Sequence, residues 1–282
     1  MQLIHTVAQA RAARARVSRL GFVPTMGALH AGHMALVAQA KAECDAVWVS
    51  IFVNPTQFNE GTDFQRYPRT LDRDLDLLTA AGCDLVFAPD PAEIYPLGFS
   101  TRIEPGPVAD PLEGAMRPGH FSGVATVVAK LLNIIAPTRA YFGQKDAQQL
   151  AVIRAMVADL NLAAEIIAAP TVREADGLAL SSRNVHLTPE QRAQAPALYR
   201  ALAAASHAHA AGQRSADTLR TLLQSVLAQA PLGRVDYASI AHPLALTELT
   251  DVGPEGALAS VAVRFGATRL IDNVVLGPGA GA

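Results

Sequence analysis

Apolar runs of β-strand length alternate with helical stretches along the first 170 or so of the 282 residues, and no other feature constrains the fold as much. Leu20-Gly21-Phe22-Val23 reads as a buried strand, followed by a turn and a helix over His33–Cys44. Ala46–Val53, around Val47-Trp48-Val49-Ser50-Ile51-Phe52, is the clearest strand. A polar loop follows, then a charged helix over Thr70–Ala81 and a strand at Asp84–Ala88. Helices are expected over His120–Ile135 and Asp146–Leu160, with strands at Arg139–Phe142 and Glu165–Ala168. Strand–helix alternation of this kind requires right-handed crossovers, and so an α/β fold whose parallel sheet has helices on both faces.

After Pro170 the texture changes. Thr188-Pro189-Glu190-Gln191 is a capping box with proline at the first helical position, and it opens an alanine-rich helix. A second helix is expected from Ser215 to about Gln229, then strands at Val235–Ile240, Leu258–Phe265 and Arg269–Val275. Two helices followed by strands form a smaller C-terminal α+β domain. The expected division is 1–170 and 171–282.

Composition excludes several classes. The chain is 50% hydrophobic and 17% charged, which rules out global disorder. Lys plus Arg number 23 against 25 Asp plus Glu, so nucleic acid is not gripped by general basicity. The apolar segment Val124–Ile135 contains Lys130 and falls short of the roughly 18 residues a membrane span needs. With only Cys44 and Cys83, no disulfide scaffold is available and a reducing cytoplasm is the expected compartment. The arginine-bearing N-terminus has no apolar core of a secretory signal.

Pro24-Thr25-Met26-Gly27-Ala28-Leu29-His30-Ala31-Gly32-His33 stands where a buried strand turns into a helix. Ligands of open α/β sheets bind beyond the carboxyl ends of the strands, and a helix N-terminus there offers unpaired N–H groups to phosphate. His30 and His33 are placed to donate to a polyphosphate; a pair of surface histidines, or half of a metal site, is the alternative. Gly143-Gln144-Lys145-Asp146 again follows a strand and precedes a helix, without Walker A spacing. Lys145 can meet phosphate as a point charge, with a plain capping turn as the alternative. Leu180-Ser181-Ser182-Arg183-Asn184 sets two hydroxyls beside a guanidinium fork, a set suited to triphosphate oxygens or simply a polar loop.

Taken together and in this order, these segments resemble the nucleotidyl-transfer superfamily with a His-x-Gly-His motif, which includes class I aminoacyl-tRNA synthetases. With Phe52-Val53-Asn54-Pro55-Thr56-Gln57-Phe58 and Phe142 added, residues 21–187 resemble the pantoate–β-alanine ligase (pantothenate synthetase) family. The resemblance implies a Rossmann-like nucleotide- and pantoate-binding domain with a C-terminal lid. It implies an ATP-dependent carbon–nitrogen ligase joining pantoate to β-alanine through a pantoyl adenylate, releasing AMP and pyrophosphate. ATP would be a substrate, Mg²⁺ would accompany it, and the enzyme would be a homodimer built on the first domain.

Carried over residue by residue, the resemblance assigns Met26, Gly27, Ala28, Leu29, His30, Ala31, Gly32 and His33 to ATP, with His33 as proton donor. Gly143, Gln144, Lys145, Asp146, Val172, Leu180, Ser181, Ser182 and Arg183 supply the remaining ATP contacts. Gln57 contacts both pantoate and β-alanine, and Gln149 contacts pantoate. His30, Lys145 and Arg183 join His33 in neutralising the departing pyrophosphate. Ala31 stands where the family more often has a larger, acidic residue, and Met34 where leucine is usual. No residue names itself as the base for β-alanine or as a protein ligand of the metal. The runner-up reading, a nucleotidyltransferase of the same superfamily, leaves Asn54–Phe58 unexplained.

Elsewhere the simpler reading comes first. Asp72, Asp74 and Asp76 are expected on a solvated helix face, with water-mediated Mg²⁺ contact as the alternative. His207 and His209 are expected to face solvent, Trp48 to be core, and Arg117-Pro118-Gly119 to approach the helix at His120 as a mobile lid.

Overall fold

The strand anticipated at Leu20 extends to Thr25 and lies inside a six-stranded, wholly parallel sheet. In the computed structural model, which describes residues 1–58, 64–65 and 67–278, this sheet is built from β1 (Gln2–Ile4), β2 (Leu20–Thr25), β3 (Ala46–Ile51), β4 (Leu85–Phe87), β5 (Arg139–Gly143) and β6 (Glu165–Ala169). Its main helices are α1 (Val7–Arg14), α2 (Ala31–Glu43), α3 (Leu71–Ala80), α4 (His120–Ile135) and α5 (Ala147–Asp159). Part of the polar loop expected after Val53, residues 59–63 and 66, lies outside the described residues.

The chain divides into two units, Met1–Gly143 with Gln149–Ala169, and Gln144–Gln148 with the residues from Pro170 on. In the first, alternate residues of the central strands enter two separate cores. Leu20, Phe22, Trp48, Phe87 and Phe142 pack with Val124, Leu131 and Ile135 of α4 and with Ile153 of α5. Val23, Val47, Val49, Val86 and Tyr141 pack with Leu36, Val37 and Ala40 of α2 and with Leu78 of α3. Burial on both faces is why these strands are almost uninterrupted apolar runs, and it establishes the parallel sheet with helices on both faces.

Strand order β1-β4-β3-β2-β5-β6 places the topological switch at β2 and β5, where the chain stops adding strands on one side and starts on the other. The ladder between these strands is short, running only through Gly21↔Arg139 and Phe22↔Ala140. Pro24, two residues on, has no N–H to donate, so the sheet cannot zip further there. The carboxyl ends of β2 and β5 therefore part, opening the crevice that such folds use for ligands.

The second unit packs α6 (Pro189–Gln194), α7 (Ala197–Ala210) and α8 (Ala216–Leu227) with an antiparallel sheet of β7 (Gly233–Ala241), β8 (Ala257–Phe265) and β9 (Thr268–Leu276). Leu198, Leu202, Leu219 and Leu223 meet Val261, Val263 and Phe265 in its core. The capping box at Thr188 forms as expected, but it opens a short helix. Pro196 then takes the N-cap position of α7 and divides what the sequence suggests is one long helix. His209, expected at the surface, is buried against Gln213 and Arg214, whereas His207 is exposed.

Candidate active site

The turn after β2 is held by side chains rather than left open. Thr25 Oγ1 donates to the Ser50 carbonyl (2.7 Å) and accepts from Gly27 N (3.2 Å). Gly27 has φ +82°, and an added Cβ would lie 3.0 Å from Asp74 Oδ2 and 3.1 Å from Ile51, so glycine is required there. Asp74 accepts from the backbone N–H groups of Ala28 (2.9 Å) and Leu29 (2.8 Å), and from the Thr70 hydroxyl (3.2 Å). Only Asp72 and Asp76 fulfil the expectation of a solvated face; Asp74 is 1% exposed. The unpaired N–H groups anticipated at this turn are thus largely committed within the chain.

His30 is the N-cap of α2. Its Nδ1 accepts from Gly32 N (3.1 Å), while His33 Nδ1 lies 3.4 Å from His30 N in a reciprocal capping box. An imidazole whose Nδ1 accepts an N–H bond carries its proton on Nε2. Each ring therefore carries its N–H on Nε2, and the two ring centroids lie 4.1 Å apart. Gly32 permits this, because a Cβ there would meet the His30 ring at 2.9 Å. Among the described residues no group of three or more His, Cys, Asp and Glu gathers in a way that could hold a metal ion.

Gln57 closes the turn Pro55–Gln57 and is 9% exposed. Its Oε1 accepts from Asn54 Nδ2 (3.0 Å), and its Nε2 donates to Met26 Sδ (3.1 Å), which brings the first two motifs into contact. Asn54 also donates to the Gly123 carbonyl (3.1 Å) and accepts from the Tyr95 (2.7 Å) and Thr56 (2.9 Å) hydroxyls. Burial pushes the Tyr95 phenol above its ordinary pKa, which keeps it a donor. From α4, His120 Nδ1 donates to the Gln57 carbonyl (2.9 Å), and Arg117 reaches the same oxygen (3.5 Å) and His120 Nε2 (3.1 Å). The Arg117 segment, expected as a lid, anchors the Gln57 turn. Gln149 lies half-buried on α5.

In the second unit, Lys145 is largely buried, with Nζ 3.6 Å from Asp146 Oδ1. Asn273 of β9 donates to the carbonyls of Gln144 and Lys145, both at 2.9 Å. Val172 and Leu180 face each other across a hairpin (Leu180 N to Val172 O, 2.9 Å), and Ser181 caps the following turn by accepting from Arg183 N (3.2 Å). The Arg183 side chain is exposed. Motif reading missed Asp74, Tyr95, His120 and Asn273 as supports. For Asp74 a signal existed: it lies four residues before the core residue Leu78, on one face of α3.

Residues 2–275 match the family model described as pantoate-beta-alanine ligase. A pantothenate synthetase of Chloroflexus aggregans is 62% identical over 276 residues, 98% of this chain and all of that protein. The crystal structure of pantothenate synthetase from Thermus thermophilus superposes with a TM-score of 0.93 at 51% identity, over 99% of this chain and 100% of that one. A Francisella tularensis pantoate-beta-alanine ligase, complexed with beta-gamma ATP and beta-alanine, superposes at 0.80 with 38% identity, covering 98% and 97%. A match along nearly the whole sequence, on the same fold, makes this chain a member of the pantoate–β-alanine ligase family of carbon–nitrogen ligases.

Proposed function

We propose that this chain joins pantoate to β-alanine through a pantoyl adenylate. The pantoate carboxylate attacks the α-phosphorus of ATP, the bond to the bridging oxygen breaks, and pyrophosphate leaves. The β-alanine nitrogen then attacks the activated carbonyl, the acyl–phosphate bond breaks, and AMP leaves. The observation that carries this reading is the histidine pair at the N-terminus of α2, whose Nδ1 atoms accept backbone N–H groups and leave the ring protons on Nε2, the donors this chemistry would use against the charge developing on pyrophosphate. His33 serves as the proton donor, with Lys145 and Arg183 as further cations, and Met26–His33, Gly143–Asp146, Val172 and Leu180–Arg183 as the ATP contacts.

Gln57 suits a site for a hydroxyl and a carboxylate. One lone pair of its Oε1 and one N–H of its Nε2 remain available beside Asn54 and the weakly accepting Met26 sulfur. Gln149 supplies a second amide for pantoate. Mg²⁺ would accompany the ATP substrate; both oxygens of Asp74 already accept backbone N–H bonds.

In this reading 1–170 binds nucleotide and pantoate and 171–282 serves as a lid domain, Gln144–Gln148 clustering with the second unit. A fragment ending at 175 would keep Lys145 but lose Asn273, and should turn over poorly. Assembly as a homodimer in the cytoplasm is supported by family resemblance and, for the compartment, by two unpaired cysteines; sedimentation of the purified protein reads the former.

ATP–pyrophosphate exchange with pantoate as the sole co-substrate tests the reading. Exchange without β-alanine, and AMP as product when β-alanine is added, are expected. ADP and inorganic phosphate would replace the adenylate by an acyl phosphate.

A further inference from the structure

We infer that Asn273 is a positioning residue for Lys145, and that the chain Arg173–Asp272–Asn273 ties the lysine turn to the loop carrying Ser181–Arg183; this rests on the proposed role of Lys145. Asn273 is 5% exposed and sits on β9 opposite Ser260 of β8. Its single amide group donates to both carbonyls that flank the Lys145 Cα, each at 2.9 Å, and its Oδ1 accepts from the Gln144 side chain (3.3 Å). A buried amide is costly unless each of its groups is satisfied. Here they are spent on the backbone of another segment, and the backbone on both sides of Lys145 is thereby fixed.

The clamp is itself held. Asn273 N donates to Asp272 Oδ1 (2.8 Å), and Asp272, 3% exposed, receives the fork of Arg173 at 2.6 and 3.0 Å. The Arg173 guanidinium lies 4.1 Å over the Tyr199 ring and donates to the Gly177 carbonyl (3.1 Å). Arg173 pairs with Ala179 in the hairpin that closes at Val172 and Leu180, and that hairpin runs directly into Ser181. One run of polar contacts, all within the second unit, thus sets the backbone of two segments proposed to meet the nucleotide. A lysine is a point charge on a long flexible stem, so the placement of its Cα and the packing of its stem decide where the ammonium can reach.

A double-mutant cycle tests this, reading kcat/KM for ATP in pyrophosphate exchange for the wild type, N273A, K145A and the double variant, with thermal midpoints for each. N273A loses two neutral hydrogen bonds to the turn, and a loss of about tenfold or more is expected. In the K145A background the same substitution should change exchange by less than about twofold, because contacting sites that act as one do not add. If N273A does not accumulate folded, N273S carries the cycle: its hydroxyl keeps one donor, so the loss is smaller but equally absent beside K145A. A crippled K145A enzyme in which the asparagine substitution costs its full factor again would overturn the inference alone. Undiminished exchange in K145A would remove both the role of Lys145 and the inference built on it.

Discussion

Replacing Asp74 attacks the turn without touching either histidine. The carboxylate accepts from two buried backbone donors, Ala28 N at 2.9 Å and Leu29 N at 2.8 Å, plus the Thr70 hydroxyl at 3.2 Å. Hydrogen bonds to a charged group contribute about 1.5–3 kcal/mol each, and a buried donor left without an acceptor costs about 1–3 kcal/mol. Asp74→Ala strands both N–H groups and should destabilise the first unit by about 3–5 kcal/mol. Asp74→Asn keeps the shape, yet one amide end must face an N–H as a donor, so about 2–3 kcal/mol is expected. Trp48, the only tryptophan, is 2% exposed in β3 of the same unit, so its fluorescence in a urea titration reports the unfolding of that unit as a whole. Pyrophosphate exchange well below the transition should fall in Asp74→Asn as well, because the turn that carries His30 and His33 loses an anchor. A variant with an unchanged urea midpoint and unchanged exchange would refute the claim that this carboxylate shapes the turn.

Further outcomes are expected. His33→Ala should lower exchange and overall synthesis together by about a hundredfold, the cost of one preorganised donor, with ATP affinity little changed; Gln57→Ala should instead raise the KM for pantoate and β-alanine, which varying one substrate at a time will separate. Gly123→Ala places a Cβ 2.5 Å from the Thr56 carbonyl and 2.8 Å from the Gln57 Cα, so it should destabilise by about 1–3 kcal/mol and raise the KM for pantoate while leaving that for ATP near normal. Burial pushes the Cys83 thiol up to about 11, so iodoacetamide at mildly alkaline pH should label half-buried Cys44 first in the native protein. Because the unfolded thiol ionises first, the contribution of Cys83 to stability is intact below its unfolded pKa and is lost as pH rises toward about 11, measurable as a falling thermal midpoint.

The architecture was legible wherever burial writes itself into composition. Strands covered on both faces read as apolar runs, and every interior strand from Leu20 to Gly143 falls where such a run stands, as does the edge strand Glu165–Ala169. The first strand and helix leave no comparable mark. Gln2–Ile4 buries only Ile4, and Val7–Arg14 buries only Ala10, so neither repeats an apolar position often enough to show a period. The division at Pro196 was readable in principle, since an interior proline removes a helical hydrogen bond, but alanine on both sides masked it.

The candidate site was legible as motifs, and not in what supports them. The histidines, Lys145 and Gln57 stand in motifs that follow strands, yet what fixes each of those turns comes from far along the chain. Asp74 takes the N–H groups of Ala28 and Leu29, His120 donates to the Gln57 carbonyl, and Asn273 donates to the carbonyls on either side of Lys145. In each case an acceptor meets N–H groups or a donor meets carbonyls, so the backbone polarity of the turn is already answered inside the protein. The expectation of unpaired N–H groups at this turn is narrowed for that reason: Ala28, Leu29, His30 and Gly32 all spend their N–H groups internally. What these turns can still offer a polyphosphate is carried by side chains, and above all by two imidazoles whose Nδ1 atoms are occupied. Catalysis built this way should be far more sensitive to the loss of a histidine ring, or of the distant carboxylate that aims it, than a phosphate loop made of backbone amides.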